Sequence, residues 1–369
     1  MSSLDSFTSG RPIAVDVAAI EQELAGLWKS ASTGEEPNAT PAVTRACRLN
    51  LVVRCDGAEQ AARATTVVAQ VARVNPARVL MAVVEKQGAG GPRLEALITA
   101  HCAFLPMETR GRQVCCEQIT ITATADAEPR LPGALLSLLL HDLPVVIWWP
   151  GDPDLASASS TELIEAADRV VVDSRRFSDA AARYAQLSRI ERPVSDLAWH
   201  RMRPWRELTA GLFDRRLYDE YPRRLHTIEV EHAGAGQDGA EALMLACWTA
   251  SRLKWGHAGG HDFTGPDGKP GRFVIRSRAP RDKEDPAGRI LSLVLRAEGA
   301  SFELRRVDGV DCVSVSASIP EASPVSRVAR AVPRDDATLL SRAFENGARD
   351  VVYEETLRLA ARVLSKERP

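Results

Sequence analysis

Two runs with no polar side chain, Val145 to Trp149 and Val170 to Val172, constrain this chain more than any other feature. Between them lies "SSTELIEAAD", a helix-forming stretch with a capping-box spacing of Ser159 and Glu162. A strand that is apolar throughout must be covered on both faces, as happens in a parallel sheet. Strand, helix and strand with short connections make a right-handed βαβ unit. Upstream, "RLNLVVRC" and "ARVLMAVVEK" read as strands around the helix "GAEQAARATTVVAQVARVNP", which stops at Asn75-Pro76. "RLEALITAHCAFL" and "VCCEQITITATA" add two strands, and "LPGALLSLLLHD" a short helix with Pro132 in its first turn. The Leu residues of that helix lie on nearly every face, which predicts heavy burial.

From residue 223 the pattern changes. "RLHTIEVEH", "GRFVIRSRA", "RILSLVLRA", "ASFELRRV" and "VDCVSVSAS" alternate apolar and polar residues, as antiparallel strands with one open face do. The expected fold is an N-terminal Rossmann-like α/β domain followed by an α+β domain with a mainly antiparallel sheet and C-terminal helices. The expected divisions are an N-terminal helix and linker over 1–44, the Rossmann-like domain over 45–195, a Trp- and Arg-rich helical bridge over 196–222 and the α+β domain over 223–369. Within 1–44, "STGEEPNATPAVT" reads as linker.

Composition narrows the function classes. Forty-seven basic and 49 acidic residues give a formal charge of −2, with no bias toward nucleic acid or an anionic membrane. No apolar run approaches the roughly 18 residues of a membrane span. The first residues lack the basic-then-apolar pattern of a secretory signal. Seven Cys at irregular spacing do not make a disulfide framework, so a reducing cytoplasm is the expected location.

Several motifs have the residue types that could carry chemistry. "GAGQDG", Gly234 to Gly239, has the G-x-G-x-x-G form with Asp262 about 20 residues on. The strand before it alternates with charges, and antiparallel patterning follows it, so the expectation is an incidental turn and no dinucleotide cofactor. His257 and His261 sit in a Gly-rich stretch read as a loop, with a metal or anion site as the lesser alternative. Cys115-Cys116 reads as buried strand residues, and Cys47 and Cys55 carry no signal. His141-Asp142 ends the Leu-rich helix with no nucleophile motif nearby. No metal site and no catalytic residue is expected.

The ends of the two parallel strands are better candidates, because ligands of open α/β sheets bind there. They are Trp148, Trp149 and Asp152 after the first run, and Asp173, Ser174, Arg175 and Arg176 after the second. Neighbours on a strand face opposite ways, so one of Trp148 and Trp149 is expected in the core and the other in the crevice. A second candidate is "DLAWHRMRPWRELTAGLFDRR", with Trp199, His200, Arg203, Trp205 and Arg206, since Trp and Arg are enriched in interface hot spots.

In this order, "DLPVVIWWPGDP", "DRVVVDSRRF", "DLAWHRMRPWRELTAGLFD" and "EALMLACWTASRLKWG" make a chain that resembles the OpcA family, the bacterial glucose-6-phosphate dehydrogenase assembly proteins. The resemblance runs over roughly residues 40–330. It implies a non-catalytic partner that binds glucose-6-phosphate dehydrogenase and promotes its active oligomer, favouring NADPH production in the oxidative pentose phosphate pathway. Two other readings stay open on the residues alone. One is a metabolite-sensing module holding a sugar phosphate or nucleotide, with Arg175, Arg176 or Arg203 on the phosphate. The other is an enzyme using Asp152, Asp173 or His200 for acid–base work.

Overall fold

In the computed structural model, the described residues are 5–8, 13–14, 16–32, 43–45, 47–85, 91–104, 113–235, 239–279, 286–320, 322–331, 335–345 and 349–365. The linker expected over 32–44 lies outside them but for Ser32 and residues 43–44, as do Gly236, Gln237 and Asp238. Two compact units emerge. The first comprises 1–172, 191–195 and 336–348, the second 173–190, 196–335 and 349–369. Residues 196–222 lie within the second.

The sheet of the first unit contains β1 (Asp5–Thr8), β2 (Ile13–Ala14), β3 (Val43–Arg45), β4 (Leu49–Asp56), β5 (Ala77–Glu85), β6 (Leu94–Phe104), β7 (Gln113–Thr124), β8 (Val145–Trp148), β9 (Arg169–Val172) and β10 (Val194–Asp196). Their order is β1-β6-β7-β5-β4-β8-β9-β10, with β2 on β6 and β3 on β7. The central pairs β7·β5, β5·β4, β4·β8 and β8·β9 are parallel, and β6·β7 is antiparallel. The chain therefore winds outward from β4 in both directions. Its helices are α1 (Val17–Ser32), α2 (Ala58–Val71), α3 (Leu131–Leu136), α4 (Ala158–Ala166) and, from late in the chain, Asp336–Glu345. Every residue of β8 and β9 is buried, as their composition requires.

Three local expectations need correction. Ser157, not Ser159, caps α4, accepting a hydrogen bond from the Ser160 N–H at 3.2 Å. The Leu-rich helix stops at Leu136, so His141 and Asp142 lie beyond it, both exposed, with Asp142 at φ 64°. The "HAGGHDF" stretch is a hairpin, given below, and not a loop.

The second unit carries α5 (Ala180–Leu187), α6 (Leu197–Arg201), α7 (Arg203–Phe213) and α8 (Ala240–Arg252). Its strands are β11 (Leu225–Ala233), the hairpin β12 (Gly256–Gly259) and β13 (Asp262–Thr264), β14 (Pro270–Arg278), β15 (Ile290–Ala297), β16 (Ala300–Arg306), β17 (Cys312–Ile319) and β18 (Ala322–Arg330). Helix α9 is the Asp336–Glu345 helix of the first unit, and α10 (Val351–Leu364) packs on α8 and α5. The strand order is β12-β13-β14-β11-β15-β16-β17-β18. The sheet is mixed. Its other described pairs are antiparallel, but β11 and β14 run parallel, with α8 crossing between them. The expectation that no βαβ connection follows "GAGQDG" is thus wrong. Burial alternates along β17, the signature of a sheet with one polar face.

Candidate functional site

In a doubly wound sheet the ligand crevice lies outside the carboxyl ends of the strands, where the winding reverses. Here that point is between β4 and β8. The turn after β4 reads Asp56-Gly57-Ala58-Glu59-Gln60 and enters α2, with Gly57 at φ 81°. Only one glycine stands where a phosphate cradle needs several, and Glu59 lies in the first turn of the helix. Gln60 folds back over the turn, its Oε1 accepting the Asp56 N–H at 2.6 Å. From the β8 side Gly151 lies so close that a Cβ there would be 2.1 Å from Gln60 Nε2. Two carboxylates and a folded-over amide disfavour a dinucleotide pyrophosphate, which wants bare backbone amides and no negative charge. The crevice expected at β8 and β9 thus lies one strand away, because strand order is set by long-range pairing.

Trp148 and Trp149 are both buried, which corrects the expectation that one faces outward. Trp148 pairs with Val53 and Val171, and the Trp149 N–H donates to the Val171 carbonyl at 2.9 Å. Side chains of adjacent strand residues point to opposite faces, so both faces of this strand end are covered. Asp152 is half-buried in the turn that follows.

In the second unit, Asp173, Ser174, Arg175 and Arg176 form a short turn whose charges are tied to α6 and α8. The Arg201 guanidinium grips the Asp173 carboxylate with two hydrogen bonds of 3.1 Å and reaches Glu241 at 2.8 Å. Arg175 reaches the same Glu241 at 2.8 Å. Two cations and two carboxylates, the carboxylates almost fully buried, close a neutral network. Burial opposes ionisation of Asp173, but Arg201, Arg175 and Arg176 overcome it and hold its carboxyl below the usual range. Burial likewise opposes the Arg201 charge, yet Asp173 and Glu241 outweigh it and raise that pKa. Arg176 is exposed on the outer side of the turn, 3.9 Å from Asp173.

Beneath this network lies Asp196, fully buried. Its Oδ1 accepts the N–H groups of Ser174 and Ala198 at 3.0 and 2.9 Å, joining the turn to the start of α6. Burial, then the negative charge of Asp173, push its pKa up to about 7, against the pull of those N–H donors. The Ser174 and Tyr353 side chains are buried beside Asp196. Asp196 is also among the causes that raise the Tyr353 hydroxyl, after burial.

The Trp- and Arg-rich segment forms α6 and α7. Trp199 and Trp205 are both buried. The Trp199 Nε1 donates to the Asp350 carboxylate at 2.8 Å, and Arg206 covers its ring, with the guanidinium carbon 3.4 Å from the ring centroid. Burial lowers the Arg206 pKa to about 10. His200 is half-buried, while Arg203 is exposed and pairs with Glu207 at 2.6 Å. The exposed residues of the segment are Arg203, Glu207, Ala210, Asp214, Arg215 and Arg216, followed by exposed Leu217.

Asp196, Glu241, Asp350 and Tyr353 were not singled out from sequence. Glu241 carried a usable signal: a lone carboxylate in "AEALMLACWTA", otherwise fit for full burial, has to meet a cation. Among the described cysteines, burial pushes Cys55 up to about 12 and Cys116 up to about 11, away from reactive thiolates. Among the described residues no group of three or more His, Cys, Asp or Glu could hold a metal ion, and no helix is long and apolar enough to cross a membrane.

Comparison with known proteins places this architecture. Residues 68–189 match the model described as "Glucose-6-phosphate dehydrogenase subunit N-terminal domain", and residues 192–357 match its C-terminal counterpart. The chain belongs to the OpcA family. A relative from Synechocystis, named "Putative OxPP cycle protein OpcA", is 26% identical over 80% of this chain and 65% of its own length. An OpcA protein of the same designation from Nostoc punctiforme is 24% identical over 73% of this chain and 62% of its own length. This chain thus covers somewhat under two thirds of those curated relatives. Among solved structures, an oxidoreductase from Sinorhizobium meliloti aligns with 10% identity and a TM-score of 0.47, covering 85% of this chain and 95% of that one. An aldose-aldose oxidoreductase from Caulobacter crescentus aligns at 11% and 0.42, covering 85% and 98%.

Proposed function

We propose that this OpcA-family chain is a non-catalytic partner of glucose-6-phosphate dehydrogenase that binds the enzyme and promotes its active oligomer. Through that enzyme it would act in the oxidative pentose phosphate pathway and favour NADPH production, in the cytoplasm. The family description as a dehydrogenase subunit and the OxPP designation of the relatives support this reading. The observation that carries the non-catalytic part is the β4–β8 crevice. There Gln60 folds over the turn against Gly151, beside Asp56 and Glu59, where a dinucleotide phosphate would need open backbone.

An activator must bind the active state of its partner more tightly than the inactive one. The docking surface on this chain is the turn that follows α7, where Arg215, Arg216 and Leu217 stand exposed beside Asp214, Asp219 and Glu220. The test mixes the protein with its cognate dehydrogenase and follows oligomer size by light scattering, together with activity. A larger or more active dehydrogenase supports the reading. Arg215→Glu with Arg216→Glu should weaken binding by at least roughly tenfold at unchanged stability. No change in oligomer or activity, or turnover by this chain alone, rejects the proposal.

A further inference from the structure

A cleft of about 620 Å³ opens in the second unit, apart from the ion network and the α7 surface. That volume lies in the range of small-molecule sites. Its polar lining comes from Ser178, Asp179, His232, Gly239, His261 and Ser277. Two helices begin at its wall. The amides at the start of α5 are served by Asp179, whose carboxylate accepts the Ala182 N–H at 3.0 Å. Helix α8 starts at Gly239 and has no side-chain cap. Its first-turn amides are left to whatever occupies the cleft.

His232 supplies a second, independent observation. The residue is only 1% exposed. Its Nδ1 lies 3.1 Å from the Ala233 carbonyl, which can only accept, so Nδ1 carries the proton. With Nδ1 so engaged, Nε2 has no partner among the described residues. A ring nitrogen at the cleft can pair with a ligand hydroxyl. The connection from β11 through α8 to the parallel strand β14 places the amino end of α8 beyond the carboxyl end of β11. That is where α/β units hold phosphates. A dinucleotide is not the match. The fingerprint's acidic residue, Asp262, sits in the β13 edge hairpin, and Ser277 and Arg278 end β14 instead.

We propose that this cleft binds a small phosphorylated metabolite bearing hydroxyl groups, its phosphate on the amino end of α8 and a hydroxyl on His232 Nε2. His261 and Ser277 complete the lining, and the Asp179 carboxylate, engaged on α5, disfavours more highly charged ligands. This site stands independently of dehydrogenase assembly.

Calorimetric titration of the full chain with inorganic phosphate, a hexose phosphate and a nucleoside monophosphate tests it. At least one of the two hydroxyl-bearing phosphates should bind saturably and at least about tenfold more tightly than inorganic phosphate. Gly239→Asp is the deciding variant. The φ of −81° and ψ of 11° there suit any residue, so the fold should hold. The introduced carboxylate would occupy the phosphate position and weaken binding by about tenfold or more. His232→Leu should remove the preference for the hydroxyl-bearing ligands. Absence of saturable binding by all three probes, equal affinity for all three, or unchanged binding in folded Gly239→Asp overturns the proposal.

Discussion

The guanidinium carbon of Arg206 lies 3.4 Å from the ring centroid of Trp199, and the indole Nε1 of Trp199 donates to Asp350. Trp199 therefore ties α7 to the start of α10 within the second unit. Trp199→Ala removes a fully packed aromatic, a cation–π stack and a hydrogen bond to a carboxylate. The expected loss is about 3–5 kcal/mol of stability in urea denaturation. Because the ring is buried, any loss of dehydrogenase binding in this variant should track the unfolded fraction. A folded variant of normal stability that fails to bind would show that the ring itself is a contact.

Arg201 is the hub of the ion network, shared by Asp173 and Glu241. Arg201→Met keeps the bulk of the side chain but leaves two buried carboxylates without their shared cation. Stability should fall by roughly 3–5 kcal/mol, the range for breaking a buried pair on one side only. Arg201→Lys should rescue little, since an ammonium cannot match the two-pronged grip on Asp173. A change near zero for Arg201→Met in a melting experiment would remove the network from the list of structural supports.

Asp196 makes stability depend on pH near neutrality. In the folded protein its pKa is about 7, whereas an unperturbed Asp titrates at about 3.9. Between those values the folded state holds a proton that the unfolded state has released. Stability should therefore fall as pH rises from about 4 to about 7 and level off above. Asp196→Asn keeps an oxygen for the Ser174 and Ala198 N–H groups but cannot titrate. Its melting temperature should be flatter across that window and at least equal to the parent's at pH above about 7.5. Parallel pH profiles for the two proteins would contradict the assignment.

Gly151 and Gln60 should behave as a coupled pair. Gly151→Ala drives a Cβ into Gln60 Nε2, the end of a flexible side chain, which must leave the Asp56 N–H. The cost should be modest, about 1–2 kcal/mol, and Gln60→Ala should recover most of it in the double variant. Additive single effects in a double-mutant cycle would mean that the two residues do not share the space.

The apolar runs Val145–Trp149 and Val170–Val172 determined two adjacent buried parallel strands, because a stretch without polar side chains has no stable solvent face. Alternation after residue 223 likewise foretold strands β11, β14, β15, β16 and β17, since a period of two is local to each strand. The family was legible too, in long motifs that need no fold to be read. What the sequence could not determine was adjacency. Strand order moved the winding reversal to β4 and β8, and it made β11 and β14 parallel across α8, both products of long-range pairing. Burial followed the same rule. One of Trp148 and Trp149, together with Trp199 and Trp205, read as surface candidates, but exposure is set by what packs around a side chain, and all four are buried. The tertiary structure alone brought Glu241 to Arg201 across 40 residues of chain and Asp350 to Trp199 across 151, distances over which no local pattern carries information.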